Sequence, residues 1–191
     1  INGTALTTGN FTPPTSPATA VTNTKLLTCN DAPNVYNAAG RSNPVVLGGD
    51  AKSSTAQTKN ASASMYFDGS GDRVDFANLG VGTGDFEIEC WWRQTVAQST
   101  DYRCVYGASP YTSSTPFAIF TYSNLLRAYI QGNSWIEYSP FSINTWYHLA
   151  LKRENGLWTF FVDGASQGTS TLHATYDFGP TVDWSIMAHP T

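Results

Sequence analysis

Trp146-Tyr-His-Leu-Ala-Leu-Lys-Arg-Glu-Asn-Gly-Leu-Trp-Thr-Phe-Phe-Val-Asp-Gly164 is the stretch of this chain with the strongest signal for its fold. Asn155-Gly156 predicts a two-residue hairpin loop, because a type I′ turn needs positive φ at both central residues. Counting outward gives three cross-strand pairs on one face: Leu149–Val162, Leu151–Phe160 and Arg153–Trp158. We expect this face to join the core, with the guanidinium of Arg153 on the indole ring. The opposite face is mixed and suits a sheet surface that meets water: His148, Ala150, Lys152, Thr159, Phe161 and Asp163.

Two further stretches precede this hairpin: Ser64-Met-Tyr-Phe-Asp-Gly-Ser-Gly-Asp-Arg-Val74 and Gly84-Asp-Phe-Glu-Ile-Glu-Cys-Trp-Trp92. In this order, the three stretches resemble the entry hairpin, a central strand and the hallmark hairpin of laminin-G-like domains in the concanavalin A-like lectin/glucanase superfamily. The resemblance covers residues 24–188 and implies a two-sheet sandwich. It does not define a function, because this fold hosts lectins, hydrolases and adhesive spacers.

The remaining sequence has the pattern of an all-β protein, with short alternating segments between turns and no helical period. Further strands are predicted within Thr24–Cys29, Val45–Leu47, Met65–Phe76, Asp85–Arg93, Tyr102–Ser109, Phe117–Gln131, Trp135–Tyr138 and Thr181–Ala188. A second hairpin about Ser123-Asn124 places these side chains on its core face: Phe117, Ile119, Thr121, Leu126, Ala128 and Ile130. We therefore predict an all-β fold, a two-sheet antiparallel jelly-roll sandwich of the concanavalin A-like type.

Charge and hydropathy argue against two classes of partner. The formal net charge is −4, and charged residues make up only 13% of the chain, so no basic surface is predicted for nucleic acid. The sequence has no apolar run of about 18 residues, so we expect no insertion into a membrane.

The two ends of the chain indicate a part of a larger polypeptide. Residues 1–23 read as an extended lead, in which Phe11-Thr-Pro-Pro-Thr-Ser-Pro17 forms a stiff polyproline-like connector to something that precedes it. Residues 24–191 form the sandwich. Family members usually add a closing strand after the segment that matches Val182–Ala188, so either another segment supplies that strand or the chain is a fragment. An open sheet edge would otherwise invite pairing with a neighbour.

A long polar region lies early in the predicted sandwich. Asn30–Asn60 is mostly polar, and Val45–Leu47 is its one apolar segment, which predicts a short edge strand. Loop regions of this length are uncommon in a compact domain, and they usually wrap the core or take part in binding.

The clearest catalytic pattern is the alternation of three carboxylates, Asp85, Glu87 and Glu89, on one strand face. It is similar to the device of the superfamily's β-glucanases, which have a Glu-x-Asp-x-Glu order around the scissile bond. Here the order is Asp, Glu, Glu, which makes both outer distances wrong for retaining hydrolysis. The pair His148 and Asp163 more readily satisfies a hydrogen bond on the sheet face. We therefore predict no enzyme activity and no catalytic residue.

No cofactor or metal ligand is predicted. A calcium ion is the alternative, bound by Asp68, Asp72 or Asp75, although a turn rich in Asp and Gly is usually only a turn. Cys90 and Cys104 either form a bridge between adjacent strands or are buried thiols that pack as small hydrophobes.

Binding is the better supported class of function. Aromatic and basic side chains fall on the non-core faces of their strands: Trp91, Phe120, Arg127, Tyr129 and Phe161. Sugars stack on aromatic rings, and exposed aromatic patches also bind protein partners. The predicted carbohydrate- or partner-binding residues are Trp91, Phe120, Arg127, Tyr129 and Trp135.

These observations favour a non-catalytic adhesion or structural module of a larger extracellular or virion assembly. The junction from the Pro-rich lead into Asn23-Thr-Lys-Leu-Leu-Thr-Cys29 resembles junctions before such domains in marine phage fibre and capsid-decorating proteins. Other protein subunits are the expected partners, in an oligomer, with a cell-surface glycan as a secondary one. The alternatives are a carbohydrate-binding module of a secreted bacterial protein and, third, a β-glucanase.

Overall fold

The computed structural model of the chain describes residues 9–25, 27, 45–77, 79–97, 101–109, 116–130, 134–179 and 183–186. This part of the chain contains no helix, and therefore no helix long and apolar enough to cross a membrane. Its strands are β1 (Val45–Gly48), β2 (Lys52–Ser54), β3 (Ser64–Tyr66), β4 (Arg73–Phe76), β5 (Phe86–Arg93), β6 (Arg103–Ser109), β7 (Phe117–Tyr122), β8 (Leu125–Ile130), β9 (Ser134–Tyr138), β10 (Trp146–Glu154), β11 (Leu157–Val162), β12 (Ala165–Ser170) and β13 (Asp183–Ile186).

The strands form two main antiparallel sheets and one small ribbon. The large sheet has the order β1-β4-β13-β6-β7-β8-β9, and the small sheet has the order β12-β11-β10-β5. β2 and β3 pair with each other as a separate two-stranded ribbon. The inner faces of the two sheets share one hydrophobic core, as expected for a sandwich. The predicted all-β, two-sheet antiparallel sandwich is confirmed.

The hairpin of β10 and β11 has the register that the sequence predicts. Leu149 lies opposite Val162, Leu151 opposite Phe160 and Arg153 opposite Trp158. The loop residues Asn155 and Gly156 have φ of 51° and 78°, which are the values of a type I′ turn. All six paired side chains are buried, so this face belongs to the core.

The second predicted hairpin is also confirmed. β7 and β8 pair with Phe117 opposite Ile130, Ile119 opposite Ala128 and Thr121 opposite Leu126. Ser123 and Asn124 make the turn with φ of 50° and 59°. The edge strand predicted at Val45–Leu47 is β1, which ends the large sheet.

Arg153 is a fully buried cation at the end of the core. Its guanidinium donates hydrogen bonds to the backbone oxygens of Gly82, Gly84 and Tyr176, at 3.1, 2.6 and 2.7 Å. It also lies 4.9–5.5 Å from three aromatic ring centroids, those of Phe86, Trp158 and Phe178. Burial lowers the pKa of this guanidinium, and the carboxylates of Asp85 and Asp177 act in the opposite direction. Arg153 thus ties the Gly82–Gly84 turn and the Tyr176 segment to the hairpin.

One predicted hairpin is wrong, and two strands were not predicted. The segment Ser64–Val74 does not fold back on itself, because β3 pairs with β2 while β4 pairs with β1 and β13. The glycine-rich turn between β3 and β4 carries the chain from the ribbon into the large sheet instead. β2 and β12 are short and polar, so they lack the alternating apolar pattern on which strand prediction rests. The predicted strand at Thr24–Cys29 lies largely outside the described residues.

Candidate functional site

A cleft with a volume of about 750 Å³ lies beside β5, the last strand of the small sheet. Its walls come from the lead, the β2–β3 ribbon with its connecting loop, the second half of β5 and the start of β6. The side chains that line it include Lys59, Glu89, Trp91, Arg103 and His148. We call this cavity the β5 cleft.

Trp91 and His148 form the aromatic wall of the β5 cleft. They lie opposite each other on β5 and β10, because residues at matching register on one sheet face are neighbours. Their ring centroids are 5.1 Å apart with an edge-to-face geometry. His148 is almost fully buried, and its Nε2 lies 3.4 Å from a carboxylate oxygen of Glu89. Among the described residues, the indole Nε1 of Trp91 and the Nδ1 of His148 have no hydrogen-bond partner.

The loop between β2 and β3 places a cation above this wall. The Nζ of Lys59 lies 4.5 Å from the centroid of the Trp91 ring, within the range of a cation–π contact. The next residue, Asn60, donates a hydrogen bond of 2.6 Å to the backbone oxygen of Pro14 in the lead. The loop therefore contacts both the small sheet and the lead.

The described part of the lead contacts the outer face of the small sheet through Asn10 and Phe11. Phe11 makes edge contacts with the rings of His148 and Phe161, at centroid distances of 5.7 and 5.3 Å. The Phe11 amide donates to the Gly164 oxygen at 2.9 Å, and the Ser166 amide donates to the Asn10 side chain at 2.9 Å. The residues that follow, including Pro14 and Pro17, form one side of the β5 cleft.

The residues predicted to bind do not form a single surface. Trp91 lies on the outer face of the small sheet, whereas Phe120, Arg127 and Tyr129 lie on the outer face of the large sheet. Phe120 and Tyr129 are buried in a small cluster with Cys104 and Ala118, and Arg127 makes a 2.7 Å ion pair with Glu137. The backbone of Trp135 lies in β9 opposite Tyr129. The expectation that Phe161 is exposed is wrong, because Phe11 covers its ring.

Of the predicted binding residues whose side chains the structure describes, Trp91 lines the β5 cleft, and the binding role of the others stays a prediction. Sequence reasoning missed Lys59, Arg103 and His148. The polarity of the Asn30–Asn60 region indicated a loop that wraps the core or binds, but it did not distinguish Lys59 from its polar neighbours. His148 was placed on the correct face by its register, without a sign that it would be buried.

The three alternating carboxylates share a face as predicted, but their surroundings differ. Asp85 accepts a hydrogen bond of 2.8 Å from the amide of Asn155, which fixes the main hairpin turn. Glu87 is buried, and Glu89 lies beside His148 at the β5 cleft. Asp163 accepts its hydrogen bond from the backbone amide of His148, at 2.8 Å, so it supports the sheet rather than the imidazole ring.

The acidic turn before β4 has a structural role. Oxygen atoms of Asp50, Asp68 and Asp72 lie within 4.8 Å of one another, while Asp75 instead pairs with Arg73 and Ser185. Burial raises the pKa of Asp72, but hydrogen bonds, from the amides of Asp68 and Asp50 above all, outweigh it and keep that pKa below its usual value. These bonds account for the position of the Asp72 carboxylate.

The two cysteines of the described chain lie in different sheets, and neither forms a disulfide bond. The alternative of a bridge between Cys90 and Cys104 is therefore wrong. Burial raises the pKa of the Cys104 thiol to about 12, so it stays protonated at neutral pH and packs as a small apolar side chain.

A family profile described as the concanavalin A-like lectin/glucanases superfamily matches residues 68–190 of the chain. No curated protein sequence matches the chain. Among solved structures, it is similar to the binding domain of botulinum neurotoxin DC in complex with rat synaptotagmin II, at 13% identity and a TM-score of 0.58, over 81% of this chain and 41% of that chain.

Two further solved structures are similar to the chain. The binding domain of paraclostridial mosquitocidal protein 1 has 9% identity and a TM-score of 0.64, over 82% of this chain and 42% of that chain. The ligand binding domain of botulinum neurotoxin serotype D in complex with N-acetylneuraminic acid has 8% identity and a TM-score of 0.63, over 83% and 40%. The chain thus spans about two fifths of the length of these structures. At such low identity, the similarity shows a shared fold.

Proposed function

The chain belongs to the concanavalin A-like lectin/glucanases superfamily, and we propose that it is a non-catalytic recognition module that binds a glycan in the β5 cleft. The single observation that carries this proposal is the Trp91 side of the cleft. An aromatic ring stands there beside polar groups, in a cavity of about 750 Å³. Ligand sites in proteins typically have volumes of roughly 300–1,000 Å³ and combine apolar walls with a few polar groups.

The chemistry of the β5 cleft suits a sugar. A sugar ring stacks its C–H face on an aromatic side chain, while its hydroxyl groups need hydrogen-bond partners. Trp91 supplies the ring, and Glu89 and Asn60 supply polar groups on the two sides of the cleft. Catalysis has less support, because Asp85 is engaged with the Asn155 amide and Glu87 is buried.

The structural neighbours give the proposal independent support. The botulinum neurotoxin and mosquitocidal protein structures are binding domains, and one of them is in complex with N-acetylneuraminic acid. Each match covers about two fifths of the neighbour's chain, so the neighbours support binding as the class of function rather than a particular site. We further propose that the module acts in an extracellular or virion assembly, as the resemblance of the lead to phage structural proteins suggests.

Replacement of Trp91 by Ala should weaken glycan binding by at least about tenfold, because truncation of a central aromatic contact usually costs more than 1.4 kcal/mol. A glycan array identifies the ligand, and titration calorimetry then measures both proteins. Tyr122→Ala is the matched control, since Tyr122 lies on the outer face of the large sheet. Equal affinity of Trp91→Ala and the parent for the glycan would show that the β5 cleft is not the binding site. Shortening of oligosaccharides during incubation with the protein would contradict a non-catalytic role.

A second candidate function is contact with other subunits through β1. This strand ends the large sheet, and its Val46 and Leu47 side chains are 55% and 45% exposed. Exposed apolar edge strands pair readily with a neighbouring chain, since their backbone groups are available for hydrogen bonds. This observation supports the expected oligomer.

Val46→Lys should therefore shift the protein toward monomer, because a charged side chain on an edge strand opposes edge-to-edge pairing. Sedimentation velocity over a concentration series measures the shift. Leu172→Lys is the control, since Leu172 is 42% exposed in a turn rather than on a sheet edge. A parent protein that stays monomeric throughout the series would leave the β1 edge without this role.

A further inference from the structure

We infer that the glycan bound in the β5 cleft carries an acidic group, and that Lys59 and Arg103 bind this group. The inference rests on the proposed function and narrows it to one class of sugar. We draw it from the charged side chains that line the cleft and from the partners that each of them has in the protein.

The carboxylates of the β5 cleft already have partners within the protein. Asp72 accepts hydrogen bonds of 2.8 and 2.7 Å from the amides of Asp50 and Asp68. Asp68 accepts one of 2.7 Å from the amide of Ser70, and Glu89 lies beside His148. These acidic groups therefore stabilise turns and the imidazole ring, and none of them forms an ion pair with Lys59 or Arg103.

Lys59 is held at the cleft by an aromatic ring rather than by an anion. Its ammonium lies over Trp91, the surface on which a sugar would stack. Lys59 is exposed and has a long flexible side chain, so it can move aside as the sugar ring arrives. Its ammonium is then adjacent to the stacked sugar and can pair with an acidic substituent of that sugar.

Arg103 begins β6 on another wall of the cleft. The backbone of Arg103 is fixed by its pairing with Thr121 on β7, and its Nη1 reaches Gly69, where an added Cβ would lie 3.5 Å away. A guanidinium donates parallel hydrogen bonds to the two oxygens of a carboxylate or a sulfate, which a neutral hydroxyl group cannot match. Two cations that line one cavity thus favour an anionic ligand.

The net charge of the chain does not itself favour an anionic ligand. At −4, the protein as a whole repels an acidic sugar, so long-range attraction does not bring the ligand to the surface. Recognition must then depend on short contacts in the cleft. Such contacts between partly exposed charges are weakened by salt.

The test compares matched sugars by titration calorimetry on the full chain. The probes are 3′-sialyllactose, its methyl ester, lactose and lactose 3′-sulfate, with each titration repeated at higher salt. The first pair differs in the charge of the carboxyl group and in one methyl group, and the sulfate distinguishes the two sources of negative charge. The variants are Lys59→Gln and Arg103→Gln, with Arg73→Gln as a control that removes one positive charge outside the cleft.

We expect the acid to bind at least about tenfold more tightly than its ester, and each cleft variant to lose about tenfold in affinity for the acid alone. Arg73→Gln should bind like the parent. Equal binding of the acid, the ester and lactose would overturn the acidic sugar while leaving glycan recognition in place. Tight binding of acid that survives both cleft substitutions would overturn the assignment of Lys59 and Arg103. If none of the four sugars binds and the glycan array shows no ligand, the proposed function is overturned as well.

Discussion

Replacement of Arg153 by Met should destabilise the protein by about 3–5 kcal/mol, the range for breaking a buried charged network. Methionine fills most of the volume but leaves the backbone oxygens of Gly82, Gly84 and Tyr176 without their donor. Each buried acceptor that loses its partner costs about 1–3 kcal/mol. The free energy of unfolding, measured by urea denaturation with tryptophan fluorescence, gives the loss.

Arg127→Met is the matched control for this prediction. Arg127 also contacts an aromatic ring, at 5.4 Å from Tyr122, but it is partly exposed and pairs with Glu137. Exposed ion pairs contribute about 0–1 kcal/mol, so this variant should unfold nearly like the parent. If the two variants lose similar stability, the contacts of Arg153 to the backbone oxygens are not what holds this end of the core.

The parts of the fold that the sequence predicts are those with local signals. The β10–β11 and β7–β8 hairpins each need one turn, and Asn155-Gly156 and Ser123-Asn124 supply positive φ at both loop positions. Once the turn is known, the register follows by counting, and the register places Arg153 on Trp158. The same reasoning applies to Asp163-Gly164, the turn that connects β11 to β12. Its two residues have φ of 50° and 78°. Asp-Gly is itself a two-residue hairpin signal.

The β5 cleft could not be predicted, because its walls come from distant parts of the chain. Nothing near Lys59 indicates that it lies over Trp91, and nothing in the lead indicates that Phe11 packs on His148. The error at Ser64–Val74 has a similar origin. The Asp- and Gly-rich turn predicts a hairpin loop, but the partner of β3 is β2, which has no apolar pattern.

The cleft lies where the small sheet ends. β5 pairs with β10 on one side, and on its other side the β5 cleft separates it from the ribbon. The core-facing Ile88 and Cys90 of β5 are only partly buried, so the core is less tightly covered here than along β10. A binding site beside β5 therefore costs little stability, because the tightly packed hairpins lie further inside the sheets.

Gly164→Ala should detach the lead from the small sheet and lower stability by about 3 kcal/mol. Gly164 has φ of 78°, which costs an alanine about 1–2 kcal/mol, and the added Cβ would overlap the backbone oxygen of Phe11. The lead must then move, and the partly buried Phe11 ring would lose its contacts with His148 and Phe161, at a further cost of about 1–2 kcal/mol. Hydrogen exchange of residues 9–18 reports the detachment, and urea denaturation reports the stability.

Gly80→Ala separates backbone strain from the overlap with Phe11. Gly80 has φ of 60°, and a Cβ at this position would meet no atom within 4 Å, so this variant carries the strain alone. We expect Gly80→Ala to lose about 1–2 kcal/mol with the exchange of the lead unchanged. Because Pro14 and Pro17 form a side of the β5 cleft, Gly164→Ala should also weaken glycan binding. If residues 9–18 are equally protected from hydrogen exchange in both variants, the contact with Gly164 does not hold the lead. The cleft would then keep its shape without that contact.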